Sequence, residues 1–232
     1  MKKIIALVLA LTCSIALFSC GKKDGIKEDV ENVASMYESS APTKIVTTVK
    51  NTVGTREYDA EYTLVTGKIG DKIATVYTYW YEKLRSVEDG ANSEIVGPDE
   101  IVRGSREFLE DSGVRENGGK WDDEGYNFAP VAGDIAVDLK FSNLVDPKYE
   151  NDVLTFSVAP DKAVEVLGVV LGEDLDEGAI AGNVSVTITN AGSVITGITV
   201  VYTVAATDDY PEIVTTVSAV YTYDLEKITL TK

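Results

Sequence analysis

Side chains along this chain alternate between two faces over stretch after stretch, and a period of two belongs to β-strands alone. Ile45, Thr47, Val49 and Val53 share one face of a first run. Tyr58, Ala60, Tyr62 and Leu64 share a face of the next, and Tyr77, Tyr79 and Tyr81 a face of a third, with Ala74, Val76 and Trp80 opposite. Both faces of that third strand are apolar or aromatic, so the sequence leaves open which one meets the core. Gly67-Lys68-Ile69-Gly70-Asp71 is a turn between Glu57 to Thr66 and Ile73 to Glu82, which makes the two runs antiparallel.

Elsewhere the period lengthens to that of a helix. Ile26, Val30, Val33, Ala34 and Tyr37 lie on one face of a first amphipathic helix, with Lys27, Glu28, Asp29 and Glu31 on the other and Pro42 beyond its end. A second helix is predicted from Pro98 to Gly113, with Asp99 and Glu100 at its positive end and Ile101, Val102, Ser105, Phe108 and Leu109 as its stripe. A third is predicted from Asp161 to Leu171, opened by Pro160 and closed by Gly172, with Ala163, Val164, Leu167, Val170 and Leu171 facing inward. Val114 to Pro130 reads as a hairpin or loop holding Trp121, Tyr126 and Phe128. Short strands are expected at Ile135, Val137 and Leu139 and at Val153 to Val158. Three more follow, Asn183 to Thr189, Val194 to Val204 and Ile213 to Tyr223, the first turning over at Asn190-Ala191-Gly192-Ser193. The order is that of an α+β protein with a curled antiparallel sheet of about eight strands, an unclosed β-barrel with helices on its concave face.

The 232 residues include no histidine, which removes the commonest general base, the commonest metal ligand and every Ser-His or Cys-His pair. A non-enzymatic protein is expected, with no cofactor and no metal. Asp122-Asp123-Glu124 and Glu173-Asp174-Leu175-Asp176-Glu177 lack the spacing of a calcium loop and read as solvated charge. Their paired carboxylates are also of the type glycosidases use, but spacing along the chain does not set them across a cleft. Gly168, Gly172, Gly178 and Gly182 do not have the spacing of a phosphate loop. With 38 acidic against 21 basic residues the net charge is −17, which repels nucleic acid and anionic headgroups. The strand tyrosines and Trp80 suit sheet packing, sugar stacking or an acyl cavity.

The first residues address the chain to a membrane. Met1-Lys2-Lys3, an apolar run from Ile4 to Phe18 and Leu17-Phe18-Ser19-Cys20 resemble the signal peptide and lipobox of a bacterial lipoprotein. Residues 1–19 are then a leader, Cys20 the lipidated residue and 20–25 the tether of a single domain, residues 26–232. About 15 apolar residues are short of the ~20 that cross a bilayer. Cys13 is a competing site, but it leaves an apolar region of about nine residues, near the lower limit. Diacylglycerol on Cys20 supplies two acyl chains and stable anchoring, so the expected location is the extracytoplasmic face of the cell envelope. Once Cys20 is acylated, the mature chain has neither a disulfide nor a free thiolate.

The early helix ending near Pro42-Thr43-Lys44-Ile45-Val46, the meander after it, and the late helix before Gly182-Asn183-Val184-Ser185-Val186 and Gly192-Ser193-Val194-Ile195-Thr196-Gly197-Ile198 are similar to the LolA/LolB-like lipoprotein-carrier superfamily, which includes LppX/LprG-type lipoproteins. The resemblance implies an unclosed barrel covered by helices, with a lipid or other apolar ligand between them. It implies a lining made of Tyr62, Leu64, Leu167, Val186, Ile198, Val200 and Tyr202. The alternative is a structural or protein-interaction lipoprotein of the same fold whose core is filled.

Overall fold

The computed structural model describes residues 25–89, 92–122, 137–171, 177–207, 211–224, 228 and 230, with backbone alone at 84–89, 92–99, 168–171 and 177. The leader, Cys20 and the tether before residue 25, Ile135, Gly172 and most of both acidic clusters lie outside the described residues.

Helix α1, residues 25–39, leads into the strand β1 (Lys44–Val53). The hairpins β2 (Arg56–Ile69), β3 (Lys72–Asp89), β4 (Asn92–Leu109) and β5 (Gly113–Glu116) follow. The second half begins with β6 (Val145–Glu150) and β7 (Val153–Val158), then α2 (Pro160–Leu171), β8 (Val184–Ala191), β9 (Val194–Val204) and β10 (Ile213–Thr222). All ten strands form one antiparallel sheet in the order β5-β4-β3-β2-β1-β10-β9-β8-β7-β6. Two meanders therefore run outward from a central β1–β10 pair, which joins the two ends of the domain. The sheet is open, with β5 and β6 at its edges.

Register shows how the alternation is used. Gly104, Tyr79, Tyr62, Thr47, Ala219, Ile198, Ile188 and Leu154 form one row across eight strands. Beside it runs Val102, Tyr81, Ala60, Val49, Val217, Val200, Val186 and Phe156. The opposite face carries Arg103, Trp80, Glu61, Thr48, Ser218, Thr199, Thr187 and Thr155 in a matching row. Side chains of the first two rows grade from tyrosine on β3 to mostly aliphatic on β7 and β8, with Phe156 the aromatic among them. The hydroxyl row faces solvent. The tyrosines of β3 therefore lie on the core face, and Trp80 on the other.

On the aliphatic half, Val30 and Val33 of α1 and Ala163, Val166 and Leu167 of α2 join Ile45, Leu154, Val186, Ile198, Val200 and Val217 in one buried cluster. Each such Val, Leu or Ile contributes about 1.5–3 kcal/mol when fully buried. α1 ends in serines. Ser39 Oγ donates to the Ser35 carbonyl at 2.7 Å and Ser40 Oγ to that of Met36 at 2.6 Å, satisfying acceptors of the last turn before Pro42.

Two expectations are corrected, and one strand is added. Pro98 to Leu109 is strand, not helix, because the hairpin with β3 decides its form: Tyr81 pairs with Val102, Tyr79 with Gly104 and Tyr77 with Arg106. Pro98 falls where the register shifts between Lys83 and Arg85, a place where the missing N–H breaks no regular ladder. Val137 and Leu139 are buried but form no strand, since the Asp138 N–H donates to the Val166 carbonyl of α2 at 3.0 Å. β6 was not expected, and its Pro147, the positive φ of 49° at Asp146 and its register shift are edge-strand features that carry weak strand signal.

Candidate functional site

The core face of the sheet is covered unequally. Leu167, Val186, Ile198, Val200 and Tyr202 belong to the helix-covered cluster, and Leu64 packs against it. Register puts Tyr62 on the same face, one row from Val200 and in the row of Ile198. The six strand residues named from the sequence thus share one face, and Leu167 comes to that cluster from α2.

Beyond the helices the face is tyrosine. Tyr62 stacks on Tyr77 with ring centres 6.2 Å apart, Tyr77 meets Tyr79 at 5.7 Å, and Tyr79 stacks on Tyr81 at 6.3 Å. These spacings are those of attractive aromatic pairs. The ladder depends on Gly104, where an added Cβ would lie 2.3 Å from the Tyr79 hydroxyl and 2.4 Å from its ring at Cζ. Tyr79 lies across the strand in the space a side chain at 104 would take. Burial pushes the Tyr77 phenol up to about 12, with Tyr62 adding to the shift, and burial likewise raises Tyr62. Tyr202 is raised by burial against the opposing effect of Thr215. The Tyr58 ring is buried beside Asn51, and its hydroxyl has no hydrogen-bond partner among the described residues.

The described surface includes two hollows. One of about 360 Å³ lies at the end of α1, between Tyr37, Glu38, Ser40, Pro42, Ile45, Ile195 and Tyr221. The other, about 240 Å³, is on the hydroxyl face around Trp80, Glu61, Thr78 and Arg103, reaching Tyr79. Neither is lined by Leu167, Val186, Ile198 or Val200, which are at most 1% exposed.

Near the β5 edge Glu107, 1% exposed, accepts from Arg115 at 2.5 Å. The Arg115 guanidinium lies 4.5 Å from the centre of the Trp121 ring, which the Val114–Asp122 bridge holds beside β5. From the sequence Trp121 is read only as a residue held in the loop Val114 to Pro130. The pairing of Glu107 with Arg115 across β4 and β5 brings the guanidinium over its ring. Among the described residues no group of acidic or cysteine side chains is arranged to hold a metal, and no helix is long and apolar enough to cross a membrane.

No protein-family model matches the chain, and no curated protein matches it. Among solved structures it is similar to a DUF1329 family protein from Desulfovibrio piger, with 8% identity over 88% of this chain and 95% of that one, at a TM-score of 0.27. It is also similar to a porin-like protein from Bacteroides uniformis, with 11% identity over 80% of this chain and 99% of that one, again at 0.27. Likenesses this distant assign neither a fold nor a function.

Proposed function

We propose that the chain is a membrane-anchored, extracytoplasmic lipoprotein that catalyses nothing and holds a lipid or other apolar ligand between its sheet and helices. In this reading the open sheet curls as an unclosed barrel, with the helices on its concave face. Cys20 carries the diacylglycerol that keeps the domain at the envelope. The observation that carries the reading is the graded core face: mostly aliphatic on β7 to β10 and packed with residues of both helices, tyrosine-rich on β2 and β3 and half-buried there at Tyr62, Tyr79 and Tyr81. An acyl chain entering at that boundary, past Leu64, gains about 0.8 kcal/mol for each methylene it buries and needs few polar contacts. The absence of histidine from the sequence agrees with a binding role.

A second reading, a surface or structural lipoprotein with a filled core, is favoured by the near-zero exposure of Leu167, Val186, Ile198 and Val200. The two separate on a titration with a fluorescent fatty acid. The carrier reading expects saturable uptake that Tyr62→Asp reduces at least about tenfold, a cost of about 1.4 kcal/mol. No uptake by folded protein leaves the filled-core reading. Anchoring is tested apart from this, by acyl labelling of the wild type against Cys20→Ala, which loses both the label and the membrane if Cys20 is the site.

A further inference from the structure

The cavity at the end of α1 lies at the margin of the core face, where a carboxylate joins the apolar side chains of that face. Its floor is Ile45 and Ile195, buried at 6% and 1% exposure, and Tyr37 and Tyr221 line it with aromatic rings. At about 360 Å³ it is within the range of small-molecule sites. Glu38 is the charged residue of its lining, with no lysine or arginine to oppose it. Glu38 is exposed and has no ion-pair partner among the described residues.

Position makes that carboxylate more telling. Glu38 sits in the last turn of α1, where the helix dipole is negative and cations, not acids, are favoured. A carboxylate there is electrostatically misplaced unless a positive group comes to it. Aromatic faces attract cations as well, and the chain's net charge of −17 concentrates them at its surface. The mouth is also fixed. Ser40 Oγ donates to the Met36 carbonyl at 2.6 Å and accepts from the Ile195 N–H at 3.4 Å, tying the end of α1 to β9. Tyr223 donates to the Ile195 carbonyl at 2.6 Å from the neighbouring end of the sheet.

We propose that this cavity binds a small organic cation, its ammonium group against Glu38 and the carbonyl end of α1, its apolar part against Tyr37, Tyr221, Ile45 and Ile195. Tyr62 and Leu64 do not line it, so the Tyr62→Asp variant that tests the lipid reading leaves its walls in place.

The test uses three probes of one shape and different charge: phenethylammonium, phenethyl alcohol and phenylacetate. Each is titrated by calorimetry into the intact chain held in phosphatidylcholine nanodiscs at low salt, with empty nanodiscs subtracted. Phenethylammonium is expected to bind at least about tenfold tighter than the alcohol, and phenylacetate not at all up to about 10 mM. Glu38→Gln is expected to remove the preference for the cation and leave the fold intact, with a melting temperature unchanged or slightly higher, because it removes an exposed, unpaired acid from the negative end of the helix dipole. Glu28→Gln, on the first turns of the same helix, is expected to leave binding unchanged and so excludes a general charge effect. Equal binding of all three probes, no binding of the cation, or an undiminished preference in folded Glu38→Gln each overturns the site.

Discussion

Gly104 is the position at which a single methyl group tests the packing of the tyrosine face. Its backbone φ is ordinary, so an alanine there meets no backbone strain, and the obstacle is the Tyr79 ring, 2.3–2.9 Å from the new Cβ. Tyr79 must swing aside and give up its contacts with Tyr77 at 5.7 Å and Tyr81 at 6.3 Å. Two such pairs are together worth about 1–3 kcal/mol. Alanine returns about 0.5–1 kcal/mol over glycine in a strand interior. Gly104→Ala should therefore destabilise by roughly 0.5–2 kcal/mol, while in a Tyr79→Ala background the same change should stabilise by about 0.5–1 kcal/mol. The difference, about 1–3 kcal/mol of coupling, is read from a double-mutant cycle by urea unfolding. A coupling below about 0.5 kcal/mol, the scatter of independent sites, refutes the packing of Tyr79 on Gly104.

Further outcomes follow from burial and charge. Val200→Asp places an unpaired carboxylate at a site of 0% exposure and should cost about 3–5 kcal/mol, enough to unfold a marginal domain; a native circular dichroism spectrum and melting temperature contradict this. Leu167→Ala, also at a fully buried site, should cost about 2–5 kcal/mol in the same assay. Arg115→Met removes the ion-pair partner of a carboxylate that is 1% exposed, so it should destabilise more than Glu107→Gln with Arg115→Met together, and the reverse order disproves the buried pair. With the Tyr77 phenol raised to about 12, the folded chain keeps a proton that the unfolded chain releases near 10, so stability falls as pH rises from 10 to 12. Tyr77→Phe should flatten that fall, and an unchanged slope in alkaline denaturant titrations counts against the shift.

Much of the sheet was legible because its strands obey one local rule. β1, β2, β7, β8, β9 and β10 alternate strictly enough that their positions and shared face follow from the residues alone. α1 and α2 were legible for the same reason, each with an apolar stripe and a proline or serine boundary. β4 was not, because Ile101, Val102, Ser105, Phe108 and Leu109 fit a helical stripe as well as they fit a strand. What decides between them is the partner strand β3, and pairing across a hairpin is not a local signal. The closing β1–β10 pair, some 170 residues apart, is a long-range choice of the same kind. Register sets Tyr62, Leu64, Val186, Ile198, Val200 and Tyr202 on one face, but periodicity does not say where helices stop covering that face. The cavity at α1 was invisible because Glu38, Ile195 and Tyr221 come together only in three dimensions.

Whether the domain holds an apolar ligand is decided by organic extraction and lipid mass spectrometry on residues 21–232 expressed in bacteria and purified without detergent. Lipid in stoichiometric amount, diminished in a folded Tyr62→Asp variant, is the predicted result. Folded protein that comes out clean and also fails to take up added fatty acid contradicts the claim and leaves an interaction domain with a filled core.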